Sequence, residues 1–253
     1  MTGCGKDNQA GFDFNNDITV VSREDGSGTR GAFIELFDVE EKDAEGNKKD
    51  LTTTEATIVN STSVVINTIS SNPYAIGYIS LGSLSDNVKA LQIDGQQASI
   101  ENIKNGSYKI ARPFNIATKG QQKPEVKDFI GFIMSEEGQK VVEAAGYIPI
   151  EATAYQSNKP KGKIIIAGSS SVTPVMEKLK EAYLQINPNL QMEIQQNDSS
   201  TGISFVIDGN CDIGMASRDF KDSEKAVING QTIAMDGIVM IVNKDNPLEN
   251  LAA

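Results

Sequence analysis

The stretch Ser22-Arg23-Glu24-Asp25-Gly26-Ser27-Gly28-Thr29-Arg30-Gly31-Ala32-Phe33 follows the short apolar run Ile18-Thr19-Val20-Val21. It leads into a segment where Ala32, Phe33, Leu36 and Phe37 recur at helical spacing. The pattern is a strand, a small-residue loop and a helix, and it returns twice. Lys163 to Ala167 is a strand and Gly168-Ser169-Ser170-Ser171-Val172-Thr173 is the loop. Pro174 suits the first position of a helix whose buried stripe is Val175, Met176, Leu179 and Tyr183. Leu190 to Gln195, the loop Asn197-Asp198-Ser199-Ser200-Thr201-Gly202 and the stripe Ile203, Phe205, Val206 and Ile207 form the third unit. Strands alternating with helices predict an α/β fold, parallel where crossovers are long enough.

Around these units, Tyr74 to Leu81, Arg112 to Thr118, Asp212 to Arg218 and Ile238 to Val242 read as further extended segments. Val64 to Ile69, entered through Asn60-Ser61-Thr62-Ser63, fits either a helix or a strand. Glu125 to Ala145 is an amphipathic helical region closed by Gly146. Glu40 to Asp50 is a charged surface loop, Glu151 to Lys163 a polar connector, and Met1 to Asn16 a Gly/Asn/Asp-rich tether.

The chain has 253 residues, with 34 acidic against 23 basic and a net charge of -11. That length suffices for two modest domains. The acidic balance disfavours wrapping nucleic acid. No apolar run approaches the roughly 18 residues of a spanning helix. Histidine is absent, which excludes Ser-His-Asp or Cys-His catalysis and His-ligated metals. Cys211 reads as a small buried thiol. Cys4, in Met1-Thr2-Gly3-Cys4-Gly5-Lys6, resembles the end of a bacterial lipoprotein signal, whose charged and apolar regions are not in this chain. The resemblance implies a diacylglycerol on Cys4 that anchors the protein to a membrane.

Each of the loops Asp25 to Thr29, Gly168 to Thr173 and Asp198 to Gly202 places hydroxyls and backbone N–H groups at a helix N-terminus. One such loop is accounted for by plain N-capping. Several, at the strand ends of one open sheet, converge on a crevice suited to an anion. Arg23, Arg30 and Arg218 stand beside them, and guanidinium groups match tetrahedral oxyanions. The glycine loop lacks a Gly-Lys-Ser/Thr ending, so it is no nucleotide P-loop. There is no Gly-x-Ser-x-Gly elbow either. Asp25, Asp198 and Asp219 could ligate Mg²⁺ in a metal-dependent phosphatase, but they form no dense acidic cluster. A module whose loops only cap helices is the remaining alternative.

The stretch Ser22 to Phe33 closely resembles the signature loop of the phosphate-binding proteins of ABC transporters. Ile166 to Pro174, Asn197 to Gly202 and Asp212 to Arg218 resemble that family's other ligand loops, and Ala75 to Ile79 and Asp236 to Val239 also fit. In most of the family the signature comes last. Here it comes first, so the chain looks circularly permuted, with Glu151 to Lys163 joining the usual ends. The family usually carries a helix and a tryptophan between the Leu251 region and the signature strand, which this order would leave out, and the sequence holds no tryptophan. The resemblance implies a two-lobed periplasmic-binding-protein-like fold, each lobe a sheet flanked by helices, with the ligand in the interlobe cleft. Residues 11–110 form one lobe and 111–253 the other, with hinges near Tyr108 to Pro113 and Ile241 to Leu251. It further implies an extracytoplasmic receptor, with neither catalysis nor a cofactor, that hands inorganic phosphate to a membrane permease. Its contacts would be Arg23, oriented by Asp25, with Ser27, Gly28 and Thr29. Opposite them would stand Ser170, Ser171, Ser199, Ser217 and Arg218. Several members have a carboxylate where Arg218 stands, which accepts the proton of hydrogen phosphate and so rejects sulfate. Asp25 or Asp219 is left to take that part, and sulfate, vanadate, arsenate or a phosphoester stay open as ligands.

Overall fold

In the computed structural model, which describes residues 12–42 and 48–252, most of these apolar runs become strands of one mixed sheet. Its order is Leu190–Asn197, Gly162–Ser169, Ile213–Ala216, Ala111–Thr118, Asn229–Val242, Ala75–Ser80, Thr19–Arg23 and Thr57–Val59. The short strand Lys89–Ala90 also pairs with Asn229–Val242. Both flanks are parallel, with helical crossovers, as parallel neighbours require. The central pairings are antiparallel.

The apolar side chains separate into distinct cores. One gathers Phe114, Phe129, Phe132, Ile164, Ile166, Leu179 and Tyr183, with a smaller cluster around Ile203 and Val206 beside it. Another gathers Val21, Val65, Ile69, Tyr78, Ile79 and Ile238 to Val242. The 14-residue strand Asn229–Val242 serves both sides. Its first part pairs with Ala111–Thr118 and its last part with Ala75–Ser80.

This corrects the expected boundary. Ile238 to Val242 belong to the core of the first half, and Glu249 and Leu251 supply carbonyls to the N–H groups of Gln92 and Asp94 in that same half. The chain therefore crosses at Ile110–Ala111 and at Gly237–Ile238, where the Ile238 N–H donates to the Ile110 carbonyl.

Other segments settle or differ from their sequence reading for local reasons. Val64 to Ile69 lies in the helix Thr62–Ser71, capped by Ser61, whose side chain accepts from the Val64 N–H. The region Glu125 to Ala145 is two helices, Pro124–Ile133 and Glu136–Ala144. Ser135 restarts the helix by accepting from the Gly138 N–H. Within Glu40 to Asp50, the strands Glu40–Lys42 and Lys48–Asp50 pair antiparallel. The connector has no regular structure from Glu151 to Lys161, yet it is pinned. Tyr155, Ser157 and the Asn158 N–H all donate to Asp128, which also receives the Tyr183 hydroxyl. At the N-terminal end Phe12 packs on Tyr74, with ring centroids 4.8 Å apart. Cys4 lies outside the described residues. Cys211 is buried, and burial pushes its thiol up to about 11. Among the described residues no helix is long and apolar enough to cross a membrane.

Candidate functional site

Four helices begin at the seam between the halves: Gly28–Leu36, Thr62–Ser71, Thr173–Ile186 and Ser199–Asp208. First-turn N–H groups have no intrahelical acceptor, so four such ends concentrate donor capacity and positive potential at one seam. Part of that capacity is used locally. Ser27 caps its helix by accepting from the Arg30 N–H, and Asp198 caps another by accepting from the Thr201 N–H.

The remaining hydroxyls meet across the seam. Thr29 Oγ1 lies 2.7 Å from Ser171 Oγ. Arg23 is 2% exposed, and its Nη2 donates to Ser170 Oγ at 3.1 Å. Within the second half, the Ser217 N–H donates to Ser199 Oγ at 3.1 Å, and Ser169 Oγ donates to Ser217 Oγ at 2.9 Å. The Ser200 N–H reaches the Gly26 carbonyl at 3.2 Å. Gly28 is what permits this approach, because a Cβ there would collide with Ser199 Oγ and lie 2.7 Å from Ser217 Oγ. On the far side, Gly168 has φ +131 and lies against Met215 and Gly202, so that loop also needs glycine.

Thus Arg23, Gly28, Thr29, Ser170, Ser171, Ser199 and Ser217 come together in one buried polar cluster, while the buried Ser27 beside them is spent on capping its own helix. Asp25 and Arg218 do not join it as expected. The Asp25 side chain is 97% exposed and pairs with Arg30 Nη1 at 2.6 Å, so it does not orient Arg23. Glu24 does that instead, holding Nε at 2.8 Å and Nη2 at 2.7 Å in a fork-to-fork pair. Arg218 turns from the cluster to Glu224, both of whose oxygens it contacts at 2.8 Å. Partial burial of the Glu224 carboxyl pushes its pKa up, but Arg218 and the Lys221 N–H outweigh this and hold it low. Arg30 is likewise held by Asp50 and Asp25. The adjacent residue in a turn takes the role because a carboxylate two positions on, past the bend, faces solvent.

Three participants escaped the sequence reading. Thr62, 5% exposed, lies 3.4 Å from both Ser170 Oγ and Ser171 Oγ and 3.5 Å from Arg23 Nη1. Its signal was present: Asn60 to Ser63 is another run of small polar residues before an apolar helix. Arg112 and Asp236 form a fully buried ion pair beneath the cluster. Arg112 Nε and Nη2 donate to Asp236 Oδ2 at 3.2 and 3.1 Å, and Nη1 donates to the Ser217 carbonyl at 3.0 Å. Ser80 Oγ donates to Asp236 Oδ1 at 2.8 Å. Burial pushes Asp236 up, against the pull of Arg112 and Ser80. A single charge inside each of two otherwise uncharged strands was the available sign. Asp25, Asp198 and Asp219 do not assemble, and no group of three metal-ligating side chains exists among the described residues.

The family model for a PBP superfamily domain matches residues 7–137 and 153–253. The chain is 54% identical over 255 residues to the phosphate-binding protein PstS 2 of Streptococcus agalactiae, covering 100% of this chain and 86% of that protein. It is 44% identical over 250 residues to PstS 2 of Streptococcus pneumoniae, covering 97% and 85%. The crystal structure of a phosphate-binding protein of a phosphate ABC transporter from Streptococcus pneumoniae superposes with a TM-score of 0.71 at 44% identity. That match covers 93% of this chain and 92% of the other.

Proposed function

The chain belongs to the PBP superfamily, and from that membership and the buried seam we propose a solute-binding protein that captures inorganic phosphate and delivers it to an ABC transporter permease outside the cytoplasm. The observation that carries this reading is the cross-seam cluster of Arg23, Thr29, Ser170 and Ser171. One buried guanidinium, neutral hydroxyls and helix-end N–H groups suit a desolvated tetrahedral anion, which needs many donors and little net charge. No bond is made or broken in this function. Residues on both sides of the crossings at Ile110–Ala111 and Gly237–Ile238 contribute, so two lobes closing about those crossings bury the anion and exclude water. Closure then strengthens every donor and gives the permease a shape to read.

The ligand contacts are Arg23, Ser27, Gly28, Thr29, Ser170, Ser171, Ser199 and Ser217. Glu24 positions Arg23, and Arg218 braces the loop through Glu224. A lipid on Cys4 holds the protein at the extracellular face of the cytoplasmic membrane. The signature-first order is native to this branch, because the streptococcal relatives align along nearly the whole chain and so share its order of segments. Titration calorimetry of the whole chain tests the reading. Phosphate is expected to bind more tightly than sulfate, and equal affinity for the two would remove the assignment to phosphate.

A further inference from the structure

We propose that Thr62 is a specificity-determining ligand contact, whose hydroxyl accepts the proton of hydrogen phosphate in place of a carboxylate. The inference rests on the phosphate reading above.

The carboxylates on and beside the loops are already committed. Glu24 gives both oxygens to Arg23, and Glu224 gives both to Arg218. Asp198 accepts from the Thr201 N–H and hydroxyl, and Asp236 accepts from Ser80 and Arg112. Asp25 faces solvent beside Arg30, and Asp219 is exposed. Drawing one of the paired carboxylates to the anion means breaking an ion pair or a helix cap.

Thr62 is the least satisfied hydroxyl of the cluster. It is almost fully buried, yet its neighbours Arg23, Ser170 and Ser171 stand at 3.4 to 3.5 Å, near the outer limit of a hydrogen bond. Thr29 and Ser171, by contrast, hold each other at 2.7 Å. A hydroxyl carries one proton and two lone pairs. Thr62 can send its proton to Ser170 or Ser171 Oγ and keep a lone pair for the P–O–H group. Arg23 Nη1, a pure donor, is then released to an unprotonated anion oxygen. With sulfate there is no proton to accept, so the Thr62 proton stays directed to Ser170 or Ser171 Oγ and its free lone pair gains nothing from the anion. Discrimination by a neutral hydroxyl is shallower than by a carboxylate, whose charged lone pairs would repel sulfate outright.

Calorimetry with inorganic phosphate and with sulfate on the whole chain tests this, using wild type, Thr62→Val, Thr62→Ala and Thr62→Ser. Loss of the hydroxyl is expected to weaken phosphate about tenfold, the worth of one hydrogen bond, and to change sulfate less than about twofold. The phosphate-to-sulfate ratio then narrows in Thr62→Val and Thr62→Ala, and Thr62→Ser restores it. Phosphate affinity unchanged in both hydroxyl-free variants, or equal losses for the two anions, would overturn the role of Thr62. Wild type binding neither anion would instead overturn the phosphate reading, and this role with it.

Discussion

Thr29 Oγ1 and Ser171 Oγ stand 2.7 Å apart although 142 positions separate them in the chain. Each sits at the start of a helix, and the helices belong to opposite sides of the crossings. Under the proposed closure, this is the contact expected to part when the seam opens.

The buried guanidinium of Arg23 should dominate binding. Arg23→Ala is expected to weaken phosphate by about 10- to 100-fold, the range for a lost charged hydrogen bond. Arg218→Ala, whose charge is spent on Glu224, and Lys119→Ala at the surface should each change it less than about threefold. Calorimetry on the three variants decides. Equal losses in all of them would mean that the signature loop is not the anion site.

Gly28→Ala should keep the seam from closing. The added methyl meets Ser199 Oγ and Ser217 Oγ, and overpacking of this kind costs about 1–3 kcal/mol. That cost falls on the closed form alone. The expected outcome is weaker phosphate binding with an unchanged melting temperature for the unliganded protein. Small-angle scattering should show less compaction on adding phosphate than wild type does.

Asp236→Asn leaves Arg112 buried without its counter-charge. Breaking a buried pair by removing one partner costs about 3–5 kcal/mol. Denaturant unfolding should register a loss of that order. Because Arg112 Nη1 also holds the Ser217 carbonyl, phosphate affinity should fall as well. A variant as stable as wild type would show that the pair is not ionised in the folded protein.

Asp128 makes the stability of the connector depend on pH. Burial pushes its carboxyl up, but hydrogen bonds from Tyr183, the Asn158 N–H, Ser157 and Tyr155 outweigh that and hold it below the ordinary range. A depressed folded pKa contributes stability that is present above the unfolded value and is lost as pH falls through the folded one. Asp128→Asn should therefore lower the melting temperature at neutral pH. The gap to wild type should shrink as the pH drops below about 4, the unfolded carboxylate value. A gap that is constant with pH would contradict the ionised network.

The α/β class, the three Ser/Gly loops and most of the helices were legible because they depend on short-range patterns. Apolar spacing names the element, and a Ser or Asp before it names the cap. The division at Gly237–Ile238 was not legible, because one apolar strand reads the same whether it lies in one core or passes through two. Nor was the choice of Glu24 over Asp25, which depends on where a turn aims adjacent side chains.

What the sequence determined by itself is the set of parts: strand-loop-helix units whose small residues leave hydroxyls and N–H groups at helix starts. Which arginine faces the seam, which is neutralised, and that Thr62 joins the cluster while Asp25 leaves it, only the tertiary structure decided. Burial and ion pairing are set by whatever the rest of the fold places alongside a residue, and no local pattern encodes neighbours more than a hundred positions away.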